Sequence, residues 1–315
     1  MELPACRSRS GVGGAGFACT QPRVRADGGF VTAAICASCS FREPPIECDE
    51  VRVARDLKPL LSETFAQGEP QGEDQGETHV VEWAVGVTTA PRNEPTLARC
   101  LETLAAAGWS EPRLFAEPGA EIPDDFAKLP FVRRESRLGA FPNWYLGLTE
   151  LFLRQPRAEA YLICQDDAVF ASGSRAYLER ALWPAAEVGV VSIYTPSHWS
   201  KGKTPGFHEE RHGWASWGAL AYIFPNPSLR RLLSDPLFVN HRHHGAAEGM
   251  RNIDSLVGAW CESAGLPYYV HVPSLVQHIG ATSTIWTKAS ATGPRRADDF
   301  QECAPSQLAS ERGGA

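Results

Sequence analysis

No apolar run in this 315-residue chain is long enough to span a membrane, and no stripe of Lys and Arg marks a nucleic-acid surface. The first absence excludes a helical membrane protein. The second, with a formal net charge of −7, points away from nucleic acid as a partner. The N-terminus lacks the basic-then-apolar order of a secretory signal, so a cytoplasmic location is the expectation. The loop after the first strong strand, Thr89-Ala-Pro-Arg-Asn93, contains no glycine. That counts against a nucleotidyltransferase or phosphohydrolase built on a glycine-rich phosphate loop.

What is present fits a globular protein. At 43% hydrophobic and 21% charged residues, the chain has room for one large core and a smaller module. Five of its nine cysteines, Cys6, Cys19, Cys36, Cys39 and Cys48, fall in the first fifty residues. Cytosolic thiols stay reduced, which argues against a disulfide framework. Cys36-Ala-Ser-Cys39 has knuckle spacing, and Cys6 with Cys19 could complete a tetrahedral structural zinc site, although their spacing is wide for a knuckle. A disordered Cys-bearing leader is the alternative. Redox chemistry is disfavoured because no βαβ context surrounds the pair.

Composition then divides the chain. Residues 1–50 form the Cys-rich module, and 51–78 an acidic flexible linker in which Gln-Gly-Glu recurs. Residues 79–288 form a catalytic-sized domain, and 289–315 an Ala/Ser/Gly/Arg-rich tail expected to fray. In the domain, strand and helix patterns alternate. Strands are predicted at 79–89, 113–116, 161–164, 188–194, 219–224 and 268–272. Helices are predicted at 96–107, 141–153, 174–182, 228–233 and 254–264. The fold class is α/β, a mostly parallel sheet flanked by helices.

The most telling stretch is Ala160-Tyr-Leu-Ile-Cys-Gln-Asp-Asp-Ala-Val-Phe170. Its apolar lead reads as a strand buried on both faces, ending in two adjacent acids. Burying such a pair calls for a counter-charge, and ligands of open α/β sheets bind at the carboxyl ends of the strands. A divalent cation at Asp166–Asp167, ready to neutralise a phosphate, is the functional reading. A turn capped by two acids is the plain one.

Four motifs in order resemble the GT-A glycosyltransferases: Thr88-Thr-Ala-Pro-Arg92, Gln165-Asp-Asp167, Trp217-Gly218 and Pro273-Ser-Leu-Val-Gln-His-Ile-Gly280. The likeness covers roughly residues 79–286 and is greatest to the N-acetylglucosaminyltransferase-like branch and its bacterial relatives. There the acidic motif usually reads Glu-Asp-Asp; this chain has Gln165, which lends no charge to a metal. The resemblance implies a Rossmann-like form of the sheet, a nucleotide-sugar donor, with a UDP-sugar the first choice, and a carbohydrate or glycoconjugate acceptor. It places Asp167 on a Mn2+ or Mg2+ ion and Asp166 near the donor's ribose or sugar. A non-catalytic zinc-bearing glycan- or nucleotide-binding protein is the rival from another class.

Physical roles follow for the neighbours. His278 could ligate the ion, favouring Mn2+, or donate to the diphosphate; a loop histidine with an ordinary hydrogen bond is the alternative. Gly280 would let backbone approach a phosphate. Arg92 could clamp a phosphate or stack on the base, or be a solvated loop residue. Asn143 could touch the nucleotide or serve a helix start. Asp254, at the last helix's start, is the candidate general base and also a candidate N-cap, with Glu248 its substitute. Trp214 and Trp217 could stack on sugar rings or belong to the core. Glu209 and Glu210 read as exposed in a charged loop, and His241-Arg-His-His244 as a loop rather than a second metal site.

Overall fold

The structure, a computed structural model, describes residues 80, 82–211, 217–241, 253–281 and 295–305, and the backbone of 9–11, 16–19 and 30–32. The chain divides into two compact units, Met1–Gly76 and Glu77–Ala315. In the first, strands β1 (Arg9–Gly11), β2 (Gly16–Cys19) and β3 (Phe30–Thr32) pair antiparallel in that order, with Arg9 opposite Cys19. Cys6, Cys36 and Cys39 lie outside the described residues, as does the side chain of Cys19, and so does the expected linker.

The second unit is built on an eight-stranded mixed sheet. Its strands are β4 (Trp83–Thr89), β5 (Arg113–Ala116), β6 (Phe131–Arg133), β7 (Ala160–Gln165), β9 (Val190–Ser192), β10 (Gly206–Glu209), β11 (Ala221–Pro225) and β12 (Tyr268–Val272). They lie in the order β10-β12-β9-β11-β7-β4-β5-β6. β7, β4, β5 and β6 run parallel, a Rossmann-like half; β11 runs antiparallel between β7 and β9. The sheet is mostly parallel, as expected, but mixed: β10 and β11 run against the other strands. An apolar strand buried on both faces looks the same in either direction, so its sense is set by the connection that leads into it. A second difference is β10, which forms the sheet edge from residues expected in a charged loop.

Helices cover both faces, and a short helix, α4 (Ser197–Ser200), follows β9. Along β7, Leu162 and Cys164 enter one core with Leu97, Leu101 and Leu104 of helix α1 (Leu97–Ala106) and Leu178 of α3 (Ser174–Ala181). Tyr161 and Ile163 point the other way. They meet Phe141, Trp144 and Leu148 of α2 (Ala140–Arg154), with Leu229 of α5 (Asn226–Ser234), Phe238 of α6 (Pro236–His241) and Trp260 of α7 (Ile253–Ala264). This two-fold alternation is what a sheet sandwiched between helix layers demands. Each fully buried aromatic or Leu contributes about 1.5–3 kcal/mol relative to exposure. Asn143 belongs to this layer: its Nδ2 donates to the Phe115 carbonyl at 2.9 Å, and Arg134 Nε donates to its Oδ1 at 2.8 Å.

Two further features bear on the site. β8 (Ala168–Phe170), directly behind the two acids, pairs antiparallel with β13 (Val276–His278), setting His278 opposite Ala168. Where the sequence suggested a frayed tail, residues 295–305 pack back onto the unit. The Gln277 side chain holds both the carbonyl and the N–H of Ala297, and Ser172 bridges to Cys303. Among the described residues, no helix is long and apolar enough to cross a membrane.

Candidate functional site

The carboxyl ends of β4 and β7 lie side by side, with Thr88 opposite Gln165. β7 releases Asp166 and Asp167 there, both almost wholly buried. The loop leaving β4 turns back over them. Arg92 Nη2 lies 2.5 Å from Asp166 Oδ1 and 2.9 Å from Asp167 Oδ2, so one guanidinium spans both carboxylates. Thr89 Oγ1 donates to Asp166 Oδ2 at 2.6 Å, and the Ala90 N–H reaches the same oxygen at 3.4 Å. From the other side β13 brings His278 Nε2 to 3.2 Å from Asp167 Oδ2, and the Ile279 N–H donates to the Asp167 carbonyl at 2.9 Å. Four residues singled out in the sequence thus meet: Arg92, Asp166, Asp167 and His278.

Electrostatics separate the two acids. Burial raises Asp166 above the ordinary carboxylate range, and Arg92 and Thr89 offset this only in part. Burial pushes Asp167 the same way, but His278 and Arg92 outweigh it and hold that carboxyl below its ordinary value. Arg92 is raised despite burial, because two carboxylates face it. The counter-charge that the paired acids require is in part Arg92 itself.

The donor set suits a divalent ion that takes few protein ligands. Asp167 Oδ1 is buried with no hydrogen-bond partner. His278 Nε2 lies 3.2 Å from Asp167 Oδ2, so the two side chains would be neighbours on a shared ion. A Cβ on Gly280 would lie 2.6 Å from Asp167 Oδ2, so only glycine leaves that oxygen its space. Among the described residues, no three His, Cys, Asp or Glu side chains form a group placed to hold a metal ion. One Asp and one His fit an ion that completes its shell with water.

Asp254, in the first turn of α7, accepts the Ala219 N–H at 2.6 Å through Oδ1. Burial raises its pKa, and its backbone hydrogen bonds and Arg295 offset part of the rise. Gln165 Nε2 donates to the Ala219 carbonyl at 3.1 Å, joining the acidic motif to Asp254 by way of one residue. Tyr194 lies within electrostatic reach of both Asp167 and Asp254, and its hydroxyl donates to the Arg295 carbonyl. Trp217 is exposed and left-handed, at φ 56°, with His198 edge-on at 4.7 Å and the Arg295 guanidinium 5.9 Å from its ring.

Other expected residues fall elsewhere. Both polar ends of Asn143 are taken, by the Phe115 carbonyl and by Arg134. Glu209 is exposed on β10 as expected, whereas Glu210 pairs with Lys203. His241 packs edge-on against Phe141. Trp214, His243, His244, Glu248, Thr282 and Ser283 lie outside the described residues. Tyr194 and Arg295 were not foreseen; Thr89 was named only within the Thr88-Thr-Ala-Pro-Arg92 motif and given no role.

No family model matches the chain, and no curated protein matches it. Among solved structures, it is similar to a mannosyltransferase from Pyrobaculum calidifontis in complex with GDP-Man and Mn2+. That likeness has 17% identity, covers 71% of this chain and 67% of that one, and has a TM-score of 0.37. It is also similar to a putative glucose-1-phosphate thymidylyltransferase from Bacillus anthracis in complex with a sucrose. Here identity is 9%, coverage 62% of this chain and 89% of that one, and the TM-score 0.38. Both scores are too low to carry a functional argument, and the reading of the site stands on the chain's own residues.

Proposed function

We propose that the chain is a glycosyltransferase of the GT-A type. It moves a sugar from a nucleoside-diphosphate donor, a UDP-sugar first, to a hydroxyl of a carbohydrate-type acceptor. Mn2+ or Mg2+ serves at Asp167 and His278, and the enzyme stands nearest the N-acetylglucosaminyltransferase-like branch. One observation carries the reading: Arg92, Asp166, Asp167 and His278 converge at the carboxyl ends of β4 and β7, and Asp167 keeps a buried oxygen without a partner.

Bound there, the cation would neutralise charge developing on the leaving diphosphate. The chain's own residues supply the rest. Thr89 and Ala90 hold the Asp166 carboxylate in place. The Arg92 guanidinium, already lodged between the acids, offers a planar fork suited to phosphate oxygens. Asp254 removes the acceptor hydroxyl's proton, and the pKa raised by burial strengthens it as a base. Trp217 presents a partly exposed indole against which a sugar ring can pack.

The test is direct. Purified chain with Mn2+ and a panel of nucleotide sugars should transfer sugar to a glycan acceptor or hydrolyse one donor. Asp167→Ala should abolish the rise in melting temperature produced by Mn2+ and UDP while the protein still melts cooperatively. If no nucleoside diphosphate raises the melting temperature of the unaltered chain, the proposal fails.

A further inference from the structure

Gln165 stands where the resembling enzymes usually carry a glutamate, and the structure offers a reason. Its amide nitrogen donates to the carbonyl of Ala219 at 3.1 Å, while the Ala219 N–H donates to Asp254 Oδ1 at 2.6 Å. One backbone residue is held from both sides, by the last residue of β7 and by the first turn of α7. A carboxylate at position 165 has no hydrogen to give, and its oxygens would face the lone pairs of that carbonyl. The partner therefore requires an amide.

The bridge is stiff. Ala219 lies in the 3-10 turn Gly218–Leu220, with its side chain buried. A Cβ at Gly218 would collide with the Tyr268 hydroxyl, Ser192 Oγ and the Tyr222 ring. The preceding Trp217 is set in the left-handed region. The turn has little room to move, so a displacement of its carbonyl passes to its N–H and hence to Asp254.

We propose that Gln165 is a positioning residue: through the Ala219 backbone it sets where the Asp254 carboxylate stands relative to the Asp166–Asp167 pair. The inference rests on the reading of Asp254 as the base that takes the acceptor's proton. Gln165 itself touches neither donor nor acceptor. It spaces the leaving-group side of the site from the attacking side, so its effect falls on the chemical step rather than on donor binding.

Two isosteric variants separate this from a merely structural role. Gln165→Met removes the donor without adding charge, and Gln165→Glu removes it and adds one. With the donor sugar that the unaltered chain turns over, both should lower kcat about ten- to a hundredfold, as small misplacements of reacting groups do. In Gln165→Met the donor KM and the melting-temperature rise with Mn2+ and UDP should stay at the parent's values. In Gln165→Glu alone the acid limb of the pH–rate profile should move to higher pH, because a new negative charge lies one residue from Asp254. Parent-like kcat in both variants overturns the inference and leaves the transferase reading intact. So does loss of the nucleotide-induced melting shift in Gln165→Met, which would place Gln165 in the donor site. Absence of turnover by the unaltered chain with every donor overturns the transferase reading and this inference with it.

Discussion

Gly280→Ala is the smallest change that tests the candidate site. The added methyl would stand 2.6 Å from Asp167 Oδ2, 3.2 Å from Asp167 Cβ and 3.3 Å from Arg92 Nη1. An ordinary contact begins at 3.4 Å, so the carboxylate oxygen must retreat by roughly 0.8 Å. It cannot do so freely, because the same oxygen lies 2.9 Å from Arg92 and 3.2 Å from His278. Overpacking of this kind costs about 1–3 kcal/mol, which lowers the melting temperature of a domain this size by a few degrees. The effect on binding should be larger. Disturbing groups that orient a metal ligand weakens metal affinity by about 10–100-fold. At a ligand concentration of about 100 times the parent's Kd, binding stabilises the fold by about 2.7 kcal/mol; after a hundredfold weakening only about 0.4 kcal/mol remains. Differential scanning fluorimetry with and without Mn2+ and UDP reads both quantities. A variant with a parent-like ligand-induced shift would refute the claim that Asp167 Oδ2 needs this space.

Three further outcomes are expected. His271 is buried neutral, with Nε2 2.7 Å from the Tyr177 hydroxyl and Nδ1 2.7 Å from the Pro273 carbonyl, and burial lowers its pKa to about 4. The unfolded chain accepts this proton near pH 6.5, so stability is full above that pH and falls by about 3 kcal/mol as pH drops towards 4. Urea melts of the parent and His271→Phe across this range should show the parent losing more. Asn143→Ala should cost about 1–3 kcal/mol by stranding the Phe115 carbonyl and Arg134, with nucleotide binding unchanged; weakened UDP binding in a folded variant would return Asn143 to the donor site. Asp254→Asn should keep the melting shift with UDP and Mn2+ but lose transfer; unchanged turnover would retire Asp254 as the base.

Much of the framework was legible in the chain. The apolar run Tyr161–Cys164 and the acids behind it could be read because burial on both faces leaves no alternation, and two carboxylates at such a strand end are costly without partners. Helices α1 and α2 declared themselves by spacing: Leu97, Leu101 and Leu104, then Phe141, Trp144 and Leu148, fall on single faces. The direction of β11 could not be read. Neither could the role of Asn143, since an amide near a helix start serves a ligand or a neighbouring carbonyl equally well. Arg92 was readable as a cation near the site, but not as the counter-ion of both acids. That depends on a loop folding back over a strand 74 residues further along the chain.

By itself, then, the sequence determined which residues are apolar on which face, where strands end in charge, and hence that a helix-covered α/β sheet presents buried carboxylates at one end. Local periodicity and the cost of burying charge suffice for that. Only the tertiary structure decided what answers those carboxylates: Arg92 across both, His278 against one, and Gln165 reaching Asp254 through Ala219. Those contacts join segments remote along the chain, and their distances depend on how strands and turns pack rather than on any spacing within one segment.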